Sequence, residues 1–247
     1  MTVCKSLAMQ LIKRSVNDKK HQHLSVTQEG FLLAINGFTS VKKLGKSSRN
    51  FVNYEMIFSH ILSGSILAGA GIGIFWHFFG QISLFNRLLW GFFVLTTSLA
   101  ALIGVMVYAG NQSLEPLHRS MIVLSDSLGV VSVVTAVYAL LNQRTLSLIT
   151  FVTTILFGLL LFISLLLPEV RVFTPVVPSL GILILMLLAV FSLLERNKRG
   201  LWVVLAAMMM GLATKADAFD GFIHPTDFFH YANTLALWFF GKAAERR

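Results

Sequence analysis

The chain has 247 residues, of which 55% are hydrophobic and 13% charged, with a formal net charge of +9. So apolar a composition excludes an ordinary soluble domain and points to an integral membrane protein. The basic residues sit in the N-terminal stretch and in short loops, not in a stripe interleaved with exposed aromatics. That pattern speaks against a nucleic-acid partner and for anionic lipid headgroups.

The N-terminal stretch comes first. Residues 1–52 differ from everything after them: Ser6–Ile12 and Gly30–Val41 are short, mildly apolar runs within Lys-rich polar sequence. Neither keeps a helical period, so a basic, loosely ordered tail is expected rather than a helix lying on the membrane surface. Met1–Arg14 lacks the long apolar core and small-residue cleavage site of a cleavable signal. The single Cys4 makes no internal disulfide, and no zinc-finger spacing occurs.

Residues 53–247 are expected to form the membrane domain. About 20 apolar residues cross a bilayer, and such runs follow one another near 54–79, 86–109, 119–141, 145–167, 176–194, 200–218 and 226–241. The expected fold is all-α, a polytopic membrane bundle of seven transmembrane helices, with six as the fallback. The sixth run is the weakest, being apolar only over Leu201–Ala213 and carrying Lys215. In the first, Ser65, Gly69 and Gly73 fall four apart, a spacing that suits close helix packing. Membrane orientation stays open. The loops holding Arg87, Arg144 and Arg196–Arg199 make one side basic, but Lys42, Lys43, Lys46 and Arg49 lie near the first helix on the other.

Ionisable residues collect at one end. Helices one, three, five and seven of a seven-span chain run in the same direction, so their first turns share a leaflet. Glu55, Ser59 and His60 open the first helix; His118 precedes and Asp126 follows at the start of the third; His224, Asp227 and His230 open the seventh. Six residues of depth is ~9 Å along a helix, so His60, Asp126 and His230 are expected to meet just below one interface. His118, beside Arg119 and Glu115, reads as solvated, and His77 as interfacial.

Within the last helix, His224, Asp227 and His230 recur every third residue and so project from one face. An Asp-x-x-His pair suits a metal, the carboxylate binding it or orienting the imidazole, and equally a general base with its orienter. Against this, Pro225 and Asp227 are also what an ordinary helix start requires. Asp126, flanked by Ser125 and Ser127 in an apolar run, must be paired, protonated or facing water.

The run His224-Pro225-Thr226-Asp227-Phe228-Phe229-His230, continuing to Trp238, resembles the last helix of a group of bacterial seven-helix membrane proteins. These in turn resemble the CREST superfamily of alkaline ceramidases, progestin/adiponectin receptors and related lipid-remodelling hydrolases. Asp126-Ser127-Leu128-Gly129 is similar to the third-helix aspartate of that superfamily. The resemblance implies zinc held by histidines and hydrolysis of a lipid amide or ester. It also implies a bacterial inner-membrane location. This chain departs from the pattern: helix two ends Gly104-Val105-Met106-Val107-Tyr108 without a histidine, Ser98 is not followed by one four residues later, and Thr226 stands where helix seven would carry its earlier histidine.

The expected site is therefore a rewired one. His230, Asp227, His60 and His224 are the candidate zinc ligands, and Asp126 is the candidate catalytic carboxylate that positions or deprotonates water. Membrane lipids are the expected partners; haem, retinal and nucleotide are not expected, there being no lysine inside helix seven for retinal. The alternative is a non-catalytic sensor, small transporter or partner subunit, which the missing helix-two histidine favours.

Overall fold

In the computed structural model the described residues run from Lys46 to Glu245, with side chains from Met56 onward. The chain divides into two units, Met1–Asn53 and Tyr54–Arg247, and the bundle is built in the second. The runs Ser6–Ile12 and Gly30–Val41 lie outside the described residues.

Among the described residues the chain forms seven helices and no strand. They are α1 (Lys46–Phe79), α2 (Leu84–Tyr108), α3, α4 (Leu148–Leu166), α5 (Val176–Leu194), α6 (Arg199–Ala213) and α7 (Pro225–Ala244). Helix α3 has three consecutive parts: Glu115–Leu124, a π-helical turn Ser125–Gly129, and Val130–Leu141. The backbone of α1 starts before its apolar run, because Ser, Asn and Tyr residues continue a helix without breaking it. Helix α6 stops at Ala213, short of the expected 218, where Thr214 and Lys215 end it and a 3-10 turn, Ala216–Phe219, takes over.

Five segments are long and apolar enough to cross a membrane: Met56–Phe79, Leu84–Tyr108, Gln112–Leu141, Leu148–Leu166 and Arg171–Leu194. Five of the seven expected runs thus meet that criterion among the described residues. Helix α6 has only 15 residues, and α7 has 20 but carries Asp227, His230, Asn233 and Lys242 in that length. The apolar surface makes this an integral membrane protein. Helices α4 and α5 are among the most apolar, yet only 17% and 22% of their spanning windows are buried in protein. Leu156, Leu160, Ile163, Leu183, Leu187 and Phe191 point outward. Water would not tolerate so continuous an apolar face; lipid does.

Between helices the packing relies on small residues, as expected where lipid removes the hydrophobic drive to associate. Ala136, Ala189, Ala206, Ala207 and Ala243 are fully buried. Gly158 of α4 shows why: a Cβ there would lie 2.6 Å from Leu128 Cδ1 and 2.9 Å from Leu128 Cα, so only glycine lets α4 meet the π turn. The expected Ser65, Gly69, Gly73 stripe does not pack in this way. All three are exposed, and a Cβ on either glycine would meet nothing within 4 Å. A spacing of four defines a face, but not the direction in which that face looks.

The two ends differ in chemistry. At one, Phe79 stacks on Trp90 with centroids 4.6 Å apart, and Phe240 sits against Trp90 and Phe93 at 5.5 and 5.8 Å. Polar side chains there act as ties. Asn86 donates to the Arg144 carbonyl at 3.1 Å and accepts from the Leu146 amide at 3.0 Å, and Asn197 donates to the Leu141 carbonyl. The other end holds His60, His224, Asp227 and His230.

Candidate functional site

The middle of α1 meets the first turns of α7 at that polar end, where His60, Ser63, Asp227 and Ala232 are all buried. Asp227, only 2% exposed, is the centre. Its Oδ2 accepts from Ser59 Oγ at 2.6 Å; its Oδ1 accepts from Ser63 Oγ at 2.5 Å and from His60 Nδ1 at 2.9 Å. Ser59, His60 and Ser63 share one face of α1 by their three- and four-residue spacing. A buried carboxylate is costly without partners, and here three donors satisfy it.

The network also settles which nitrogens carry protons, since tautomers follow from hydrogen-bond partners. His60 donates through Nδ1 to the carboxylate, which leaves a lone pair on Nε2. Ser63, having given its only hydrogen to Asp227, accepts from His230 Nδ1 at 2.9 Å. His230 therefore also keeps its lone pair on Nε2. One carboxylate thus orients two imidazoles, one directly and one through a serine.

His224 caps α7, its Nδ1 accepting the Thr226 amide at 3.3 Å. Its ring lies 4.3 Å from that of His60, centroid to centroid, and Tyr108 stands 5.0 Å from His60 on the other side. His224 is the most exposed member of the group. Desolvation, followed by the charge of nearby His60, lowers its pKa below the ordinary histidine value, outweighing the carboxylates of Asp227 and Asp220. The neutral ring, the form in which imidazole binds metals, is thereby favoured.

Ligand atoms of His60, His224 and Asp227 all lie within 4.8 Å of one another. Three ligands about 2.0–2.2 Å from one tetrahedral ion stand about 3.3 Å apart, so the triad is close enough to bind a divalent cation once His60 turns from its bond to Asp227. His230 is joined to the cluster through Ser63 but is not part of that close group. Nitrogen and carboxylate donors of this kind suit zinc.

Asp126 lies apart. Among the described residues no hydrogen bond or ion pair reaches its carboxyl. It lines a cavity of about 240 Å³ that it shares with His230, His118, Tyr108 and Thr226. It also lines a second cavity of about 420 Å³, bounded by Phe93, Ile182, Met210, Lys215 and Asn233. The π turn puts it there. Ser127 Oγ donates back to the Val123 carbonyl at 2.7 Å, and Ser125 Oγ bonds Thr97 Oγ1 at 2.9 Å. Such hydroxyls compete with the helical ladder, and π turns recur at functional sites.

Two side chains were missed in the sequence. Ser63 carries the link from Asp227 to His230; its signal was the three-residue step from His60. His118, expected to be solvated, packs onto α2 instead: a Cβ on Gly104 would lie 2.9 Å from its Nε2. It is half-buried and lines the smaller cavity. Glu115, expected at this end, pairs with Arg119 at 2.7 Å on the surface, and the side chain of Glu55 lies outside the described residues. Ser98, fully buried against Gly71, has no partner and takes no part in the site. His77 is exposed at the opposite end beside Phe78.

Comparison with protein-family models, with curated proteins and with solved structures finds no match to this chain.

Proposed function

We propose that the protein is a metal-dependent membrane hydrolase acting on a lipid amide or ester, with zinc held by His60, His224 and Asp227. The observation that carries this is the close group itself: two imidazoles and a buried carboxylate converge inside an otherwise apolar bundle, where ionisable side chains mark function by default. Bound zinc would supply the Lewis acidity that polarises a carbonyl and acidifies water. The chain's own residues do the remaining work. Through Ser63, Asp227 holds His230 with a free Nε2 at the edge of the smaller cavity. That nitrogen is placed to take a proton from a reactant in the cavity. Asp126 makes no bond to the cluster and stands on the substrate side.

In this reading α6 and α7 also cross the bilayer, giving seven spans in a bacterial inner membrane. The inner membrane follows from the resemblance alone; the crossing is supported by packing. Helix α7 lies along α6, and Asp227, Ala232, Ala236 and Phe240 turn inward. The polarity that lowers the hydropathy of α7 is thus partly hidden from lipid.

Metal analysis of the purified protein is the test. Close to one zinc per chain is expected, falling to background in His60→Ala and Asp227→Ala, with lipid amide or ester cleavage falling in parallel. Wild-type protein purified without chelator and free of zinc would refute the metal reading. One observation favours a non-catalytic role instead. Asp227 is satisfied by three protein donors, so without metal the cluster already ties α1 to α7.

A further inference from the structure

The metal group leaves Asp126 unused, and its surroundings are specific. Its backbone lies ~16 Å along α3 from the helix start at 1.5 Å rise per residue, within the apolar stretch Gln112–Leu141. Side chains there are retained at a cost unless paired. None of the described cations pairs with it: Lys215 lines the same larger cavity but makes no ion pair, and it is exposed just past the end of α6. His118 and His230 share the smaller cavity and likewise make no ion pair with it.

Around the carboxyl, apolar and aromatic side chains supply part of the walls, beside Thr97, Ser125, Ser179, Thr214 and Asn233. Phe93, Ile122, Val130, Ile182, Met210 and Phe229 line the larger cavity, and Ile122 and Phe229 continue into the smaller one. Asp126, Ser125 and Thr97 border both cavities, so the two meet at the π turn. Together they fall within the ~300–1,000 Å³ typical of small-molecule sites. Ile122 and Phe229 are 40% and 43% exposed, so apolar side chains of both cavities reach the surface.

We propose that this paired cavity binds a lipophilic organic cation, a substituted ammonium or phosphonium, with Asp126 as its counter-ion. A positive group there gains the carboxylate, which no described residue pairs, and the neighbouring aromatic rings of Phe93 and Phe229, to which cations are attracted. Its apolar substituents fill the lobes on either side. Lys215 lines the larger cavity and is exposed, so it repels a cation approaching past it; in this proposal the cation enters from the bilayer, which selects for one that partitions into lipid. This goes beyond the hydrolase reading and needs no metal; if that reading is also right, it says that a substrate entering the cavity carries its positive charge beside the π turn.

Tetraphenylphosphonium is a suitable probe, with tetraphenylborate as the anion of the same shape. The purified full-length chain in nanodiscs is expected to bind the phosphonium saturably at one site, and the borate at least ~tenfold more weakly, a difference of about 1.4 kcal/mol. Asp126→Asn should weaken phosphonium binding by at least ~tenfold, while Asp126→Glu, which restores the charge, should keep most of it. His60→Ala should bind the phosphonium as the wild type does while losing zinc, so failure of the metal reading and failure of this one are separable. Equal binding of the two probes, undiminished binding in Asp126→Asn, or no saturable binding by the wild type would each overturn the assignment. Should Asp126→Asn not fold, the Asp126→Glu result and the phosphonium–borate comparison on wild type decide it.

Discussion

Replacing Asp227 by Ala tests whether the carboxylate ties α1 to α7. The side chain is 2% exposed and accepts three hydrogen bonds, from Ser59, His60 and Ser63. Bonds to a charged group contribute roughly 1.5–3 kcal/mol each, but the losses do not simply add. Ser63 already lies 3.3 Å from the His60 carbonyl and turns to it, and partly exposed Ser59 reaches water. Among the described residues the Nδ1 hydrogen of His60 has no second acceptor. The expected cost is therefore that of breaking one buried pair, ~3–5 kcal/mol, with Asp227→Asn costing about half because its carboxamide oxygen still accepts. Reversible unfolding in mixed anionic and non-ionic micelles, followed by the fluorescence of the four Trp with chelator present, measures this. A loss below about 1 kcal/mol in Asp227→Ala would refute the account. Such a result would mean the hydroxyls and imidazole find other partners when the carboxylate is gone.

Further expectations follow the same geometry. Ser63→Ala should destabilise by only ~1 kcal/mol yet alter the histidine nitrogen-15 shifts of His230, whose Nδ1 proton loses its acceptor; unchanged shifts would count against the relay. Gly158→Ala should cost ~1–3 kcal/mol as an overpacking change, because the added Cβ meets Leu128 backbone and not only a flexible tip. Asn86→Ala removes both the donor to Arg144 and the acceptor for Leu146, and should lower stability by ~1–3 kcal/mol without changing zinc content. For pH, the His224 pKa is lowered in the folded state. The unfolded chain therefore binds more protons at this group below about pH 6.5, and stability should rise with pH through that window and fall on acidification. With chelator present, the stability–pH slope of His224→Ala between about pH 5 and 7 should be shallower than that of the wild type.

The legible part of the fold was the part written in long apolar runs. Composition placed the chain in a membrane, and the breaks at Gln81–Arg87, Asn142–Arg144 and Pro168–Pro175 separated the helices close to where they lie. Span count was harder, because Asp227, His230 and Asn233 lower the hydropathy of the helix that carries the site. Depth along parallel helices was enough to bring His60 near Asp227. Angular position was not: Ser59, Ser63 and Ser65 look alike in sequence, and only the first two point at α7. The same ambiguity misdirected the Ser65, Gly69, Gly73 face. His118 was misjudged because its neighbours Glu115 and Arg119 are solvated, while the glycine that receives its ring lies on another helix. The π turn has no marker beyond its hydroxyls.

A single carboxylate that sets the tautomers of two histidines has a consequence for how substitutions combine. Effects measured at His60, Ser63 and His230 will not add, because each changes what Asp227 offers to the others. Ser63 is the sharpest instance. A scan that scores only reagent or ligand contact would class it as inert, since its hydroxyl is entirely enclosed. Exchanging it for Ala nevertheless frees His230 to move its proton to Nε2, turning an acceptor facing the cavity into a donor. The identity of residue 63 is thereby a chemical setting for a side chain on another helix, and a library varying both positions together would find partners that neither single scan predicts.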